Sequence, residues 1–161
     1  MPHWLMEIKR DDLSGHEVAA LLQVHLAGMR ANSPVCSVHA LELDALRAPE
    51  VSVFTAWDGI DLMGMGAIKV IAPGHGELKS MRTDERFIRR GVGAAILARL
   101  LEAAIELGVD RVSLETGTDP SFDAAHAMYA RFGFQPCGPF GDYTFDPFSA
   151  YYSLELVRPV P

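Results

Sequence analysis

The chain has 161 residues, of which 49% are hydrophobic and 22% charged. That composition fits one globular domain and excludes a disordered or low-complexity polypeptide. The formal net charge of −7 excludes non-specific nucleic-acid binding, which needs a basic surface to displace counterions, and it suits a small cationic partner better.

Residues 4–8 form the first predicted strand, closed by the charged run Lys9-Arg10-Asp11-Asp12. Asp12 or Ser14 is placed to cap a helix in which Leu21, Leu22, His25, Leu26 and Met29 recur at helical spacing. Ser33-Pro34 breaks it, and a shorter helix over 38–46 stops near Pro49. Residues 51–57 alternate in the manner of a strand, Asp58-Gly59 signals a hairpin, and residues 62–71 return as its partner. Pro73-Gly74 then turns the chain into a third strand, 77–83, which completes an antiparallel meander.

A charged turn, Asp84-Glu85-Arg86, leads to Arg89-Arg90-Gly91-Val92-Gly93-Ala94 and a long amphipathic helix. Val92, Ile96, Leu97, Leu100, Ala104 and Leu107 share its buried face, and Gly108 is suited to end it in a left-handed conformation. Strand, basic glycine turn and helix together make an anion cradle. The first-turn amides lack acceptors, the helix dipole is positive there, and glycine lets a phosphate approach the backbone. Arg89 and Arg90 suit an extra-charged phosphorylated cofactor. A Walker loop is excluded because Ala94-Ala95 follow Gly93, and a Rossmann fingerprint because Ile96 stands where its third small residue belongs.

Residues 111–116 alternate as another strand. Asp119-Pro120-Ser121 starts a helix that carries Ala124, Ala125, Met128 and Tyr129 and stops at Gly133. Residues 134–137 and 151–157 read as the last two strands, joined by a turn-rich loop. No linker or repeat interrupts this pattern, so one domain over 1–161 is expected. The N-terminal residues lack a signal-peptide apolar core, and no apolar run is long enough to span a membrane. Cys36 and Cys137 are the only cysteines, too few for a disulfide framework or a Cys-rich zinc site, so a reduced, cytoplasmic thiol pair is expected.

The order of elements, the Arg-Arg-Gly-Val-Gly-Ala turn, and Met128-Tyr129-Ala130-Arg131-Phe132-Gly133-Phe134 resemble the GNAT superfamily of acyl-CoA-dependent N-acyltransferases. The family's cofactor turn runs Gln/Arg-x-x-Gly-x-Gly/Ala. Residues 88–93 fit it except at Ile88, where the family has a polar side chain. The resemblance implies an α/β (α+β) fold with a mixed, mainly antiparallel sheet of about six to seven strands flanked by about four helices.

It also implies acetyl-CoA as cosubstrate, with no metal. The fourth strand, 77–83, would be bulged and splayed from the fifth, 111–116, so that the main chain at Met81 and Thr83 holds the pantetheine arm. Arg89, Arg90, Gly91, Val92, Gly93 and Ala94 would hold the pyrophosphate. Tyr129 matches the tyrosine that protonates the departing thiolate, and Glu77 is the first choice for the base, with Glu115 its rival. The expected reaction is direct attack by the primary amine of a small molecule in a ternary complex. A non-catalytic acyl-CoA sensor and a protein N-acetyltransferase are the alternatives, and the family tends to form homodimers.

His39 lies in the short helix region on the acceptor side, and His75 lies two residues before Glu77. A lone histidine in such a place is more often structural than a base. His75-Gly76-Glu77 resembles half of a zinc deaminase motif, but Gly138-Pro139-Phe140 follow Pro136-Cys137 where a second cysteine is required. The aromatic loop 140–148, with Asp142 and Asp146, suits recognition of a cationic, partly apolar acceptor or a dimer contact.

Overall fold

A computed structural model describes residues 6–32 and 43–156. Its strands are β1 (Glu7–Arg10), β2 (Val51–Asp58), β3 (Asp61–Ala72), β4 (His75–Thr83), β5 (Arg111–Gly117), β6 (Gln135–Cys137) and β7 (Ser149–Glu155). They form one sheet in the order β1-β2-β3-β4-β5-β7-β6. Pairing is antiparallel throughout except between β4 and β5, which are parallel. The helices are α1 (His16–Asn32), the single turn α2 (Leu43–Leu46), α3 (Val92–Glu106) and α4 (Asp123–Arg131), with one-turn 3-10 helices at Glu85–Phe87 and Pro120–Phe122.

The meander follows from its turns. Asp58 pairs with Asp61 across a two-residue loop, and Ala72 pairs with His75 across Pro73-Gly74. Strand alternation then sorts the apolar residues into two cores. Ile68 and Leu78 pack with Ile96, Leu97 and Leu100 of α3. Met65 and Ala67 pack with Val18, Leu21 and Leu22 of α1. Burying a leucine or isoleucine side chain is worth about 1.5–3 kcal/mol, so each face is held by several such residues.

Some boundaries differ from the sequence reading. β1 runs on through Lys9 and Arg10, because both residues pair with β2 and their charged side chains are tolerated on an edge strand. Lys9 Nζ lies 4.9 Å from the Trp57 ring centre. α1 starts only at His16; Asp12 accepts the Ser14 N–H in a local turn instead of capping the helix. Asp119 accepts the Ser121 N–H, but it caps a 3-10 turn, and α4 itself begins four residues later at Asp123. Trp4, Ser33-Pro34, Cys36, the start of the second predicted helix with His39, and Val157 lie outside the described residues. Among the described residues no helix is long and apolar enough to cross a membrane.

Candidate active site

The site begins where β4 leaves β5. The two strands pair only from His75 to Leu78 and from Arg111 to Leu114, while β5 stays paired with β7 along its whole length. The second half of β4 therefore diverges and opens a cleft. Within that half, Ala67 pairs with Lys79 and Met65 with Arg82, so Ser80 and Met81 together oppose Gly66. This is a β-bulge. Ser80 takes φ 57°, a left-handed conformation that costs a residue with a side chain about 1–3 kcal/mol. Gly66 is required opposite it, since a Cβ there would lie 2.5 Å from Met81 Sδ and 2.9 Å from an Ile96 methyl. The Ser80 hydroxyl is buried and has no hydrogen-bond partner among the described residues, a polar atom of the kind an extended polar ligand satisfies.

β4 then runs into the glycine turn. Asp84 caps the 3-10 turn by accepting the Arg86 N–H, and the buried Phe87 ring anchors it, with the guanidinium groups of Arg86 and Arg90 5.1 and 5.6 Å from the ring centre. Arg89 (φ 63°) and Gly91 (φ 79°) are both left-handed, the type of backbone turn from which anion-binding nests of N–H groups are built. The first hydrogen bond into α3 runs from Ala95 N–H to Gly91 O, so the amides of Val92, Gly93 and Ala94 precede the helical ladder.

The two glycines serve different ends. A Cβ on Gly91 would meet nothing within 4 Å, so its backbone angle, not space, requires glycine. A Cβ on Gly93 would lie 3.3 Å from Met128 Sδ and 3.6 Å from Thr83 Oγ1. Thr83 and Gly93 are thus neighbours, and the strand half (Met81, Thr83) and the turn half (Arg89 to Ala94) of the expected cofactor site form one continuous edge. Ile88 is 53% exposed.

The cleft between the splayed strands is narrow, with a cavity volume of about 90 Å³, and is lined by Glu77, Lys79, Ser80, Glu115, Tyr129 and Tyr143. Glu77 is buried, and two donors converge on its Oε2: Lys79 Nζ at 3.1 Å and the Tyr143 hydroxyl at 2.5 Å. Lys79 Nζ also donates to the Tyr143 oxygen at 3.0 Å, which closes a triangle. Glu77 Oε1 accepts no hydrogen bond among the described residues. Glu115 accepts from Ser149 Oγ at 2.5 Å.

Tyr129 is buried with its ring edge-on to Phe134, centroids 5.6 Å apart. Burial pushes its pKa up, so the hydroxyl stays protonated. Sequence reading missed three wall residues. Lys79 and Tyr143 were not singled out as site residues, and the aromatic loop was the only signal for the latter. His25 was read only as part of a helical repeat. It faces the cleft, where burial and then the Arg82 charge push its pKa down to about 4.

His75 does not join the cleft. Its Nε2 lies 2.7 Å from Ser113 Oγ, its ring packs on Phe140, and burial lowers its pKa. Cys137 is half-buried, and burial raises its thiol pKa. Among the described residues no three His, Cys, Asp or Glu side chains converge as a metal site would need.

A model of the acetyltransferase (GNAT) family matches residues 18–134. The chain is 46% identical over 151 residues to the uncharacterized N-acetyltransferase YsnE of Bacillus subtilis (strain 168), spanning 94% of this chain and 100% of that one. A solved structure from Klebsiella pneumoniae subsp. pneumoniae, assigned as an acyl-CoA N-acyltransferase, aligns with a TM-score of 0.81 at 26% identity, covering 94% of this chain and 98% of the other. A Bacillus subtilis acetyltransferase solved in complex with CoA shares the fold at a TM-score of 0.70 and 18% identity, covering 94% and 99%.

Proposed function

The chain belongs to the acetyltransferase (GNAT) family, and from that premise we propose that it transfers the acetyl group of acetyl-CoA directly to the primary amine of a small molecule in a ternary complex. The observation that carries this reading is the continuity of the splayed cleft with the amide-rich turn. An anion cradle, a polar bulge and a cavity holding a carboxylate and a protonated tyrosine lie along one edge.

The residues fit the cosubstrate. The amides of Val92, Gly93 and Ala94 suit the pyrophosphate, Arg89 and Arg90 suit the outer phosphate, and the main chain at Met81 and Thr83, with the orphaned Ser80 hydroxyl, suits the pantetheine arm. When bound, acetyl-CoA supplies an activated acyl carbonyl and a thiolate leaving group. Glu77 presents Oε1 to the acceptor and takes the ammonium proton, directly or through a water. Lys79 and Tyr143 hold Oε2 and so fix the carboxylate's orientation. Tyr129, kept protonated by burial, gives its proton to the departing sulfur. The Tyr143 contacts draw the loop after β6 against β4, and the narrow cleft that results favours a small acceptor over a polypeptide.

Initial velocities with both substrates varied test the mechanism. Intersecting reciprocal lines are expected, together with coenzyme A release that depends on the amine. Parallel lines, or coenzyme A release leaving an acetylated protein, would point to a covalent acetyl-enzyme instead.

A further inference from the structure

We propose that Arg82 anchors an anionic group on the acceptor, so that the amine acetylated here also carries a carboxylate, as amino acids do. This rests on the site being an N-acetyltransferase centre. The starting point is the bulge. Leu78 belongs to the core under α3, so Glu77 and Lys79 point to the α1 face of β4. In a regular strand Met81 and Thr83 would join them, and Arg82 would point into the α3 core. The extra residue at Ser80 reverses this. Met81 Sδ lies beside Ile96 and Leu100 of α3 around the Gly66 position, and Thr83 Oγ1 lies beside Gly93. Arg82, paired with Met65 of the α1 core, is therefore turned onto the same face as Glu77 and Lys79.

On that face Arg82 lines a groove against α1 with Ala20, Leu21 and Val24, one helical turn from His25 in the cleft wall. Its side chain makes no hydrogen bond or ion pair among the described residues, and its Nε is fully buried. The Arg82 charge is felt by Asp84 and His25, though it is hydrogen-bonded to neither, and a planar anion can meet the outer edge of its guanidinium with two parallel hydrogen bonds. Glu17, Asp61, Asp84 and Glu85 also line the groove, with Asp84 already held by Arg86. These carboxylates repel a dianion such as a phosphate about twice as strongly as the single charge of a carboxylate, so of the two anions the carboxylate suits Arg82 better. The cofactor's phosphates are poor candidates as well, because the amide-rich turn lies with Thr83 and Gly93 on the opposite face.

The test uses a panel of α- and ω-amino acids and the matching amino-acid amides, with wild type, Arg82→Gln and Arg82→Lys. Wild type should favour an acid over its amide in kcat/KM. Arg82→Gln should cut that ratio about 10- to 100-fold, the worth of a hydrogen bond to a charged group. The loss should sit in the acceptor KM and not in the acetyl-CoA KM, and Arg82→Lys should restore part of it. A loss confined to the acetyl-CoA KM would make Arg82 a cofactor contact, and equal losses for acid and amide would make it structural; either overturns the proposal, as does a wild type that does not prefer acids. Calorimetric titration of the same amino acids into the coenzyme A-loaded protein reads the anchor without turnover. Binding lost in Arg82→Gln would support the anchor even if no amine were acetylated, whereas no binding to wild type would overturn it.

Discussion

The Tyr143 hydroxyl donates a 2.5 Å hydrogen bond to Glu77 Oε2, tying the loop after β6 to the first half of β4 across 66 positions of sequence. Lys79 Nζ reaches both atoms, so the carboxylate is held by a cation and a phenol at once. Removing either partner should cost stability unequally. Tyr143→Phe deletes the hydroxyl that donates to Glu77 and accepts from Lys79 but leaves the Lys79–Glu77 pair in place, and should lower unfolding free energy by about 1.5–3 kcal/mol. Lys79→Met leaves a buried carboxylate without its cation and should cost about 3–5 kcal/mol. Urea denaturation of the two variants checks the order; a Lys79→Met protein as stable as Tyr143→Phe would mean that the pair is already solvated.

Tyr129→Phe keeps the edge-on packing against Phe134 and removes only the hydroxyl. If that hydroxyl protonates the departing thiolate, kcat should fall about 10²- to 10⁴-fold, with the affinity for acetyl-CoA near that of wild type. Steady-state kinetics beside a coenzyme A titration separates the two quantities. An unchanged kcat would remove Tyr129 from the chemistry.

Gly91 sits at φ 79° with open space where a side chain would go. Gly91→Val should therefore reshape the turn without a clash, at about 1–2 kcal/mol for the left-handed angle, and the loss should appear as weaker coenzyme A binding. Gly93→Val should act differently, by pressing on Met128 and Thr83. Calorimetry with coenzyme A is the measurement, and wild-type affinity in Gly91→Val would disconnect the turn from the phosphates.

His25 carries a pH prediction. Its folded pKa, about 4, lies below the usual 6.5, so between those values the unfolded chain binds the extra proton. The stability this gives is fully present above about pH 6.5 and is lost as pH falls toward 4, by about 3 kcal/mol at most. The carboxylates titrate nearby, so the readout is the difference between wild type and His25→Asn. The variant should show a flatter fall in stability from pH 6.5 to 4, and identical slopes would contradict the assignment.

What the sequence could convey was what local chemistry decides. The Asp58-Gly59 hairpin, the Pro73-Gly74 turn, the meander and the opening of α3 at Gly91 each depend on a few adjacent residues, and all stand where their turn chemistry puts them. The bulge was expected only through the resemblance. Its consequence, Arg82 turned onto the face of Glu77, depends on where the extra residue falls, and Ser80 carries no glycine to mark it. The Glu77–Lys79–Tyr143 triangle and the place of His25 arise from chain segments far apart in sequence, so no local spacing announces them. β1 ends two residues later than expected for a related reason: Lys9 and Arg10 look like the end of a strand until β2 supplies their partners.

Acetyl transfer is tested most directly by the stoichiometry of the reaction itself. Wild-type protein is mixed with acetyl-CoA and a panel of small primary amines, and free coenzyme A thiol and N-acetylated amine are quantified together by mass spectrometry. Thiol and N-acetyl product should appear in equal amounts, only when an accepted amine is present, and both should fall together in Tyr129→Phe and in Glu77→Gln. Tight binding of coenzyme A with no amine-dependent thiol release across the panel would contradict acetyl transfer and leave the protein an acyl-CoA binder without turnover.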